Sequence, residues 1–356
     1  MTVPGSIPKI ILLFWTNWVY FWVQGNNLNK SIKILTNYFI GPLLFAWLVY
    51  HVYNEINAQK DLPLYIEKLF DGINTQKIAI LIFVVFLMMI QWMAEAKKWQ
   101  LLLKGIVFVP FGKAVKSIFS GIAFSIATPN RFGEFIGRVL HLPKEARLQG
   151  TTCTFIGNFA QLIATCFAGA IGLVFTQSDQ LLNNTSLIGT FISSLKVAAP
   201  LAFLFFVFIY FQAVLFFEWL SKFKLLEKWK NNLIGLSQIP FYILLKVLAW
   251  SFLRYAIFML QYWLFFQLMD VHIGFMETCI GLSVMLLLLA VVPTVSMVEL
   301  GLRWQFSIFL LSPFTSNVLG LTMAVTFVWL LNLMLPALVG SFLLVRVGKQ
   351  EECVEV

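Results

Sequence analysis

Uninterrupted apolar runs set the strongest constraint on what this chain can fold into. Segments such as 78–89 and 201–217 carry almost only apolar side chains, a pattern that lipid or a deeply packed interior tolerates on all sides of a helix. A bilayer core takes about 20 helical residues per crossing, and about eight segments approach that length. Because 60% of the residues are hydrophobic and 12% are charged, a water-soluble fold is excluded. Strands of a transmembrane barrel alternate over about ten residues, so we predict an all-α polytopic membrane protein.

The placement of charges predicts the orientation of the chain. Lys and Arg concentrate in connections at 97–116, 138–147 and 222–230, whereas the connections at 176–190, 270–277 and 312–317 contain none. The positive-inside rule places the basic connections in the cytoplasm. We expect a multi-pass protein of the bacterial inner membrane with both termini cytoplasmic. Because these connections account for much of the net charge of +9, no nucleic-acid partner is expected.

Following this rule along the chain predicts about six spanning helices and two re-entrant helical hairpins. The short apolar pieces 114–128 and 278–292 are each followed by a proline, and each returns to the side from which it entered. The two half-repeats, about 34–176 and 190–346, then have opposite orientation, as in many secondary transporters. Eight full spans are the alternative. The predicted spans lie at about 35–53, 78–96, 151–175, 196–217, 240–269 and 318–345.

Segments outside the spans complete the predicted organisation. Residues 1–33 form an N-terminal apolar or interfacial segment, 34–346 the transmembrane domain and 347–356 a cytoplasmic tail. The apolar block 8–24 lacks a small-x-small cleavage site, so we interpret it as interfacial or as an upstream extension rather than a signal peptide.

Two related motifs carry charges into the predicted hairpins. One runs from Thr128 to Arg138 and the other from Pro293 to Arg303. Each has a proline, a linker and then Glu-x-x-x-Arg, whose two charges share one helix face and can pair. The predicted structural breaks are Pro129, Gly133, Pro293 and Gly301.

These breaks predict a binding site for an anion. A proline frees carbonyl groups and exposes a new helix N-terminus, which attracts an anion such as a phosphate headgroup. Arg254 lies too deep in its span to reach the interface easily, and Gln261 shares its helix face. The alternative is that each Glu-x-x-x-Arg pair is an internal strut without a ligand. The predicted substrate-binding residues are Asn130, Arg131, Glu134, Arg138, Arg254, Gln261, Glu299 and Arg303.

Other polar residues give weaker indications. A stripe on the third span joins helices or contacts substrate; its members are Thr154, Asn158, Gln161 and Thr165. The four cysteines form no CxxC motif and the three histidines have no second ligand at helical spacing, so neither a metal nor a cofactor is expected. No ATP-binding loop of the GxxxxGK[ST] kind is present, so a gradient or a partner would have to drive transport.

The two motifs resemble those of the lysylphosphatidylglycerol synthase transmembrane-region family, also described as flippase-like. The resemblance rests on TPNRFGEFIGRVL and VPTVSMVELGLRW and extends over about 34–346. The second motif has Thr294 to Met297 where the family commonly shows a Gly-rich stretch. The resemblance implies a domain that moves or handles lipid, as in members that transfer aminoacylated phosphatidylglycerol between leaflets. Full synthases add a cytosolic domain, and the chain ends soon after its last predicted span, so synthase activity is not expected.

The sequence therefore predicts a flippase-like transporter of an anionic phospholipid or a lipid-linked headgroup. Its partners would be membrane lipids, with a homo-oligomer or a separate enzyme also open. The alternative is a membrane-embedded transferase, or a subunit of one, that acts on a lipid-linked donor with Glu134 as base and His141 nearby. A third interpretation is a scaffold without transport activity.

Overall fold

The computed structural model describes Tyr50 and residues 74–126, 128, 131–176, 187–212, 239–292 and 296–352. Within these ranges the secondary structure is helical and contains no strand. The predicted first span and N-terminal segment lie outside them apart from Tyr50, as do Pro129, Asn130 and Pro293. The α-helices are α1 (Thr75–Leu103), α2 (Phe111–Ile126), α3 (Gly133–Val139), α4 (Arg147–Phe175), α5 (Leu187–Phe211), α6 (Phe241–Leu268), α7 (Phe275–Val291), α8 (Ser296–Leu311), α9 (Val318–Trp329) and α10 (Leu335–Glu352).

Five helical segments are long and apolar enough to cross a bilayer. The last of them joins α9 to α10 through a π-helical turn at Leu330–Met334. These segments confirm the prediction of an all-α polytopic membrane protein. They are Thr75–Leu103, Lys144–Phe175, Ser194–Phe211, Phe241–Leu268 and Val318–Leu344.

The differences from the sequence prediction include two helix bounds and one predicted break. The second span was expected to end near residue 96, but α1 continues to Leu103 and keeps Lys98 buried inside the bundle. The last helix runs to Glu352, beyond the expected start of the tail at 347. Gly301, expected to be a break, lies within α8, because a single glycine weakens a helix by about 1 kcal/mol without ending it.

The remaining helices form two hairpins at opposite ends of the bundle. Helix α2 follows the C-terminal end of α1, where Gln100 Nε2 donates to the carbonyl of Val109 at 2.8 Å, and α3 leads back to the start of α4. Helices α7 and α8 lie between Asp270 and Asn317, and the Asn317 amide donates to the Met269 carbonyl at 3.1 Å. With 16 residues, α2 is about 24 Å long, so it is shorter than a bilayer core.

Each hairpin packs against the last span of the other half. Helix α2 contacts α10, and α7 contacts α4. Glycines allow the close approach: a Cβ at Gly340 would lie 1.9 Å from the Phe119 carbonyl oxygen, and one at Gly172 would lie 3.0 Å from that of Ile280. Small residues serve the same purpose wherever membrane helices approach backbone to backbone. Both hairpins are therefore held by close packing against a spanning segment.

We expect Gly340→Ala to destabilise the protein. Its methyl group has no room against α2, and such overpacking costs about 1–3 kcal/mol. Gly301→Ala is the matched control, because no atom lies within 4 Å of its Cβ position and alanine favours a helix by about 1 kcal/mol. Thermal unfolding in detergent would measure both. Equal midpoints for the two variants would contradict the close packing of α10 on α2.

Candidate functional site

Five ionised side chains lie together between α1, α3 and α6, and we call them the Glu95 cluster. The Glu95 carboxylate is 1% exposed and accepts from three cations. Lys98 Nζ lies 2.9 Å from Oε2 and Arg138 Nη2 lies 2.9 Å from Oε1, while Arg254 Nη1 also contacts Oε2. Arg138 Nη2 donates in addition to Glu134, one helical turn earlier on α3. The cluster consists of Glu95, Lys98, Glu134, Arg138 and Arg254.

Neutral polar groups on α4 and α6 extend this cluster. Lys98 Nζ donates to Ser251 Oγ at 3.1 Å. From the predicted stripe on α4, Asn158 donates to Glu134 Oε2 at 3.4 Å, and Gln161 Oε1 accepts from Arg254 at 3.5 Å. The stripe thus joins helices at the charged cluster.

A second group of charges, which we call the Glu299 cluster, joins the two hairpins. Arg131, beside the first break, donates to both carboxylate oxygens of Glu299 at 3.1 and 3.2 Å. Glu299 also accepts from Arg303 Nε, one turn later on α8, at 3.1 Å. Arg303 Nη1 donates to the Tyr262 hydroxyl at 2.8 Å. The cluster consists of Arg131, Tyr262, Glu299 and Arg303.

The backbone at Arg131 is strained. Its φ of 58° lies in the left-handed region, which costs a non-glycine residue about 1–2 kcal/mol. Strain of this kind concentrates where function requires a particular geometry. In this conformation the Arg131 side chain contacts the carboxylate of Glu299, 168 residues further along the chain.

The expectation of an anion at the first helix N-terminus is not supported by the geometry. The amide of Gly133, at the start of α3, already donates to Thr128 Oγ1 at 2.7 Å. Helix α3 has only seven residues, so its dipole is small. Side chains, rather than this helix end, supply the donors at the first break.

The two clusters are built from similar connections but differ in chemistry. Arg138 on the first hairpin reaches Glu95 on α1, and Arg303 on the second reaches Tyr262 on α6. Glu95 and Tyr262 occupy equivalent places, about 20 residues into their helices. The first half therefore has a carboxylate where the second half has a neutral phenol.

The predicted site residues are only partly brought together. The pairs Glu134–Arg138 and Glu299–Arg303 form as the motif spacing predicted. Gln261 does not join them: its amide donates to the Val84 carbonyl at 3.2 Å, away from the charged groups. It shares the face of α6 that meets α1 but lies about 10 Å further along the helix than Arg254. Asn130 lies outside the described residues.

Sequence reasoning missed Glu95 and Lys98. Lys98 was read as part of the basic connection at 97–116, and Glu95 was not singled out at the end of the preceding span, because charges after an apolar run usually mark the membrane interface. A signal was present: Trp92, Trp99 and Leu102 continue the apolar pattern of the helix around the two charges, and all three are buried. Charges that interrupt a continuing helical pattern indicate a buried pair.

We expect Tyr262→Phe to destabilise the protein more than Tyr255→Phe. Removing the Tyr262 hydroxyl leaves a buried Arg303 donor unpaired, which costs about 1–3 kcal/mol. Tyr255 is also buried on α6, but its hydroxyl bonds only the neutral Ser283, at 2.9 Å, so its loss costs about 0.5–1.5 kcal/mol. Thermal unfolding of the two variants side by side would test this, and an equal or reversed order would contradict it.

The ionic groups of the two clusters carry an excess of positive charge. The clusters contain five cations and three carboxylates. Among the described residues no group of His, Cys, Asp and Glu could hold a metal ion, and the described cysteines Cys153, Cys166 and Cys279 are free thiols. Guanidinium groups recognise phosphate and carboxylate through several N–H donors at once.

The molecule is a polytopic helical membrane protein, with apolar spans, two opposed hairpins and an internal charge network. Residues 38–340 match the family described as lysylphosphatidylglycerol synthase TM region, and the chain belongs to that family. The match confirms the resemblance drawn from the two motifs. Comparison with curated proteins and with solved structures finds no match.

Proposed function

We propose that this protein moves an anionic phospholipid, or the anionic headgroup of a lipid-linked molecule, between the leaflets of a bacterial inner membrane. The contact between Arg131 and Glu299 carries the proposal, because it joins the two hairpins where the charged clusters lie. A site at the meeting point of two opposed broken helices is the arrangement by which many transporters expose a substrate alternately to each side.

The cost of burying these charges supports a functional role. Ionisable groups at membrane depth are expensive, and they commonly mark a substrate or ion pathway. Here the cations exceed the carboxylates, whereas a purely structural network is most stable when its charges balance. Excess positive charge suits an anionic headgroup, while the acyl chains stay in the surrounding lipid.

The proposed membrane placement follows from the two ends of the bundle. Exposed lysines lie at the end where α1 finishes and α2 begins, including Lys97, Lys104 and Lys113. The opposite end holds Asp270, 3.0 Å from Lys77. We place the lysine-rich end in the cytoplasm, which makes the first hairpin re-entrant from the cytoplasmic side and the second from the outer side.

A translocation assay tests the proposal. The full chain would be reconstituted in liposomes that contain a fluorescent anionic phospholipid, and the exchange of that lipid between leaflets would be followed with an impermeant quencher. Arg131→Ala removes the contact between the hairpins at a partly exposed position, so the fold should survive. We expect it to slow exchange severalfold, whereas Lys116→Ala, at an exposed site on α2, should not.

Two results would count against the proposal. Equal exchange by wild type and Arg131→Ala would show that the contact between the hairpins is not needed for lipid exchange. Wild-type exchange no faster than in protein-free liposomes would show that the protein does not transport this lipid. Wild-type exchange at the protein-free baseline, together with a loss of thermal stability in Arg131→Ala, would support the scaffold interpretation instead.

The transferase alternative has weaker support. Both oxygens of Glu134 accept hydrogen bonds, from Arg138 and Asn158, so the proposed base is already engaged. His141 Nε2 lies 2.8 Å from Ser120 Oγ. Turnover of a lipid-linked donor by the purified protein would favour this alternative over transport.

A further inference from the structure

The charges of the Glu95 cluster do not balance. Lys98, Arg138 and Arg254 supply three positive charges, and Glu95 and Glu134 supply two negative ones. Among the ion pairs of the described residues, no further carboxylate contacts these cations. Solvent cannot fully compensate the excess positive charge, since the most exposed side chains of the cluster are Glu134 at 15% and Arg254 at 13%. The cluster therefore lacks one negative charge.

Its hydrogen bonds are incomplete as well. The Arg138 side chain is 2% exposed, yet Nε and Nη1 have no hydrogen-bond partner among the described groups. Nε of Arg254 is likewise buried without one. A buried charged donor without an acceptor costs more than the usual 1–3 kcal/mol for a neutral group. Both guanidinium groups also bind opposite oxygens of the same Glu95 carboxylate, so they lie close together.

The Glu299 cluster differs in this respect. It also has an excess of one positive charge, from two cations and one carboxylate, but Arg131 is 41% exposed and can be hydrated. Tyr262 accepts the hydrogen bond from Nη1 of Arg303. Exposure of Arg131 and the Tyr262 hydroxyl ease the imbalance there. In the Glu95 cluster the Arg254 guanidinium lies over the Trp92 ring at 5.2 Å, but the unpaired N–H donors of Arg138 and Arg254 remain.

We propose that the Glu95 cluster binds a monoanionic oxyanion, such as the phosphodiester of a phospholipid headgroup, through the Arg138 and Arg254 guanidinium groups. One negative charge balances the cluster, and the oxyanion oxygens accept from the N–H groups that lack partners. Glu95 holds the two guanidinium groups in place, and Lys98 in turn pairs with Glu95. This inference rests on the proposed function, and it assigns that function a headgroup charge and a location.

Ligand-induced stabilisation of the full chain in a neutral detergent tests this site. The probes are dioctanoyl phosphatidylglycerol, which carries one phosphodiester charge, its zwitterionic phosphatidylcholine counterpart, and inorganic phosphate. We expect phosphatidylglycerol to raise the unfolding midpoint and phosphatidylcholine to have little effect. Arg254→Gln should weaken the affinity for phosphatidylglycerol about tenfold or more, because it removes a charged donor. The change is measured as the lipid concentration that gives half of the full shift in the midpoint.

The charge count also predicts how the variants behave without ligand. Arg254→Gln leaves two cations and two carboxylates, so the variant should fold and should no longer depend on an added anion. Lys98→Gln also removes one positive charge from the cluster, at a residue on α1. It serves as the second variant if Arg254→Gln does not fold. Lys246→Gln is the matched control, since Lys246 is an exposed cation on the same helix.

The outcomes separate this site from the transport function. Stabilisation by both phosphatidylglycerol and phosphate, or by phosphatidylglycerol alone, supports the site. Stabilisation by phosphate alone supports the site but contradicts a lipid substrate. No stabilisation by either probe, or an unchanged response in both Arg254→Gln and Lys98→Gln, overturns the inference even if lipid exchange still depends on Arg131.

Discussion

Glu95→Gln should be among the most damaging single substitutions in this protein. The change keeps the shape of the side chain but leaves Lys98, Arg138 and Arg254 with Glu134 as their only carboxylate. Removing one partner of a buried ion pair costs about 3–5 kcal/mol, because the other charge remains buried. We expect little folded protein, measured as the monodisperse fraction after extraction and as the unfolding midpoint.

Two further variants make this prediction specific. Glu145→Gln removes a charge at an exposed position and should have almost no effect. Adding Arg254→Gln to Glu95→Gln returns the cluster to its original excess of one positive charge, so the double variant should recover part of the lost stability. If Glu95→Gln were as stable as Glu145→Gln, the buried cluster would not hold the bundle together.

Reversing the charges of Arg131 and Glu299 should show a strong coupling between the two hairpins. Arg131→Glu places two carboxylates against each other, and Glu299→Arg places three cations together, Arg303 among them. Each single variant should lose stability and lipid exchange. The double variant restores opposite charges between the hairpins and should recover part of both, although Arg303 loses its glutamate partner. We expect a coupling energy of about 0.5–3 kcal/mol from a double-mutant cycle.

The pair Lys77–Asp270 provides the control for this cycle. Its atoms lie 3.0 Å apart, but the Asp270 side chain is 66% exposed, so the coupling should fall near the 0–1 kcal/mol that is usual for surface pairs. Purely additive effects at Arg131 and Glu299 would show that the two hairpins are not linked through this contact.

Much of the fold and part of the site could be predicted from sequence because the signals are local. Apolar runs predict spans, and glutamate four residues before arginine predicts the pairs Glu134–Arg138 and Glu299–Arg303 within a single turn of helix. Arg254 was also recognisable, since its depth in an apolar span can be read from the sequence alone.

The contacts between helices could not be predicted in this way. Arg131 pairs with the Glu299 of the other half, and nothing within either motif indicates that partner. Lys98 looks like an interfacial lysine until α1 is seen to continue to Leu103. Gln261 shares a helix face with Arg254, but it lies about 10 Å further along α6, where its partner is the Val84 carbonyl on α1. Side chains can share a face without sharing a site.

The most direct test of the account is the headgroup selectivity of lipid exchange in proteoliposomes. Labelled phosphatidylglycerol and labelled phosphatidylcholine would be compared in the wild type and in Arg254→Gln, at equal protein density and with protein-free liposomes as the baseline. We predict that the wild type exchanges the anionic lipid severalfold faster and that Arg254→Gln loses this preference. Equal exchange of the two lipids by the wild type, or an unchanged preference in Arg254→Gln, would contradict the account.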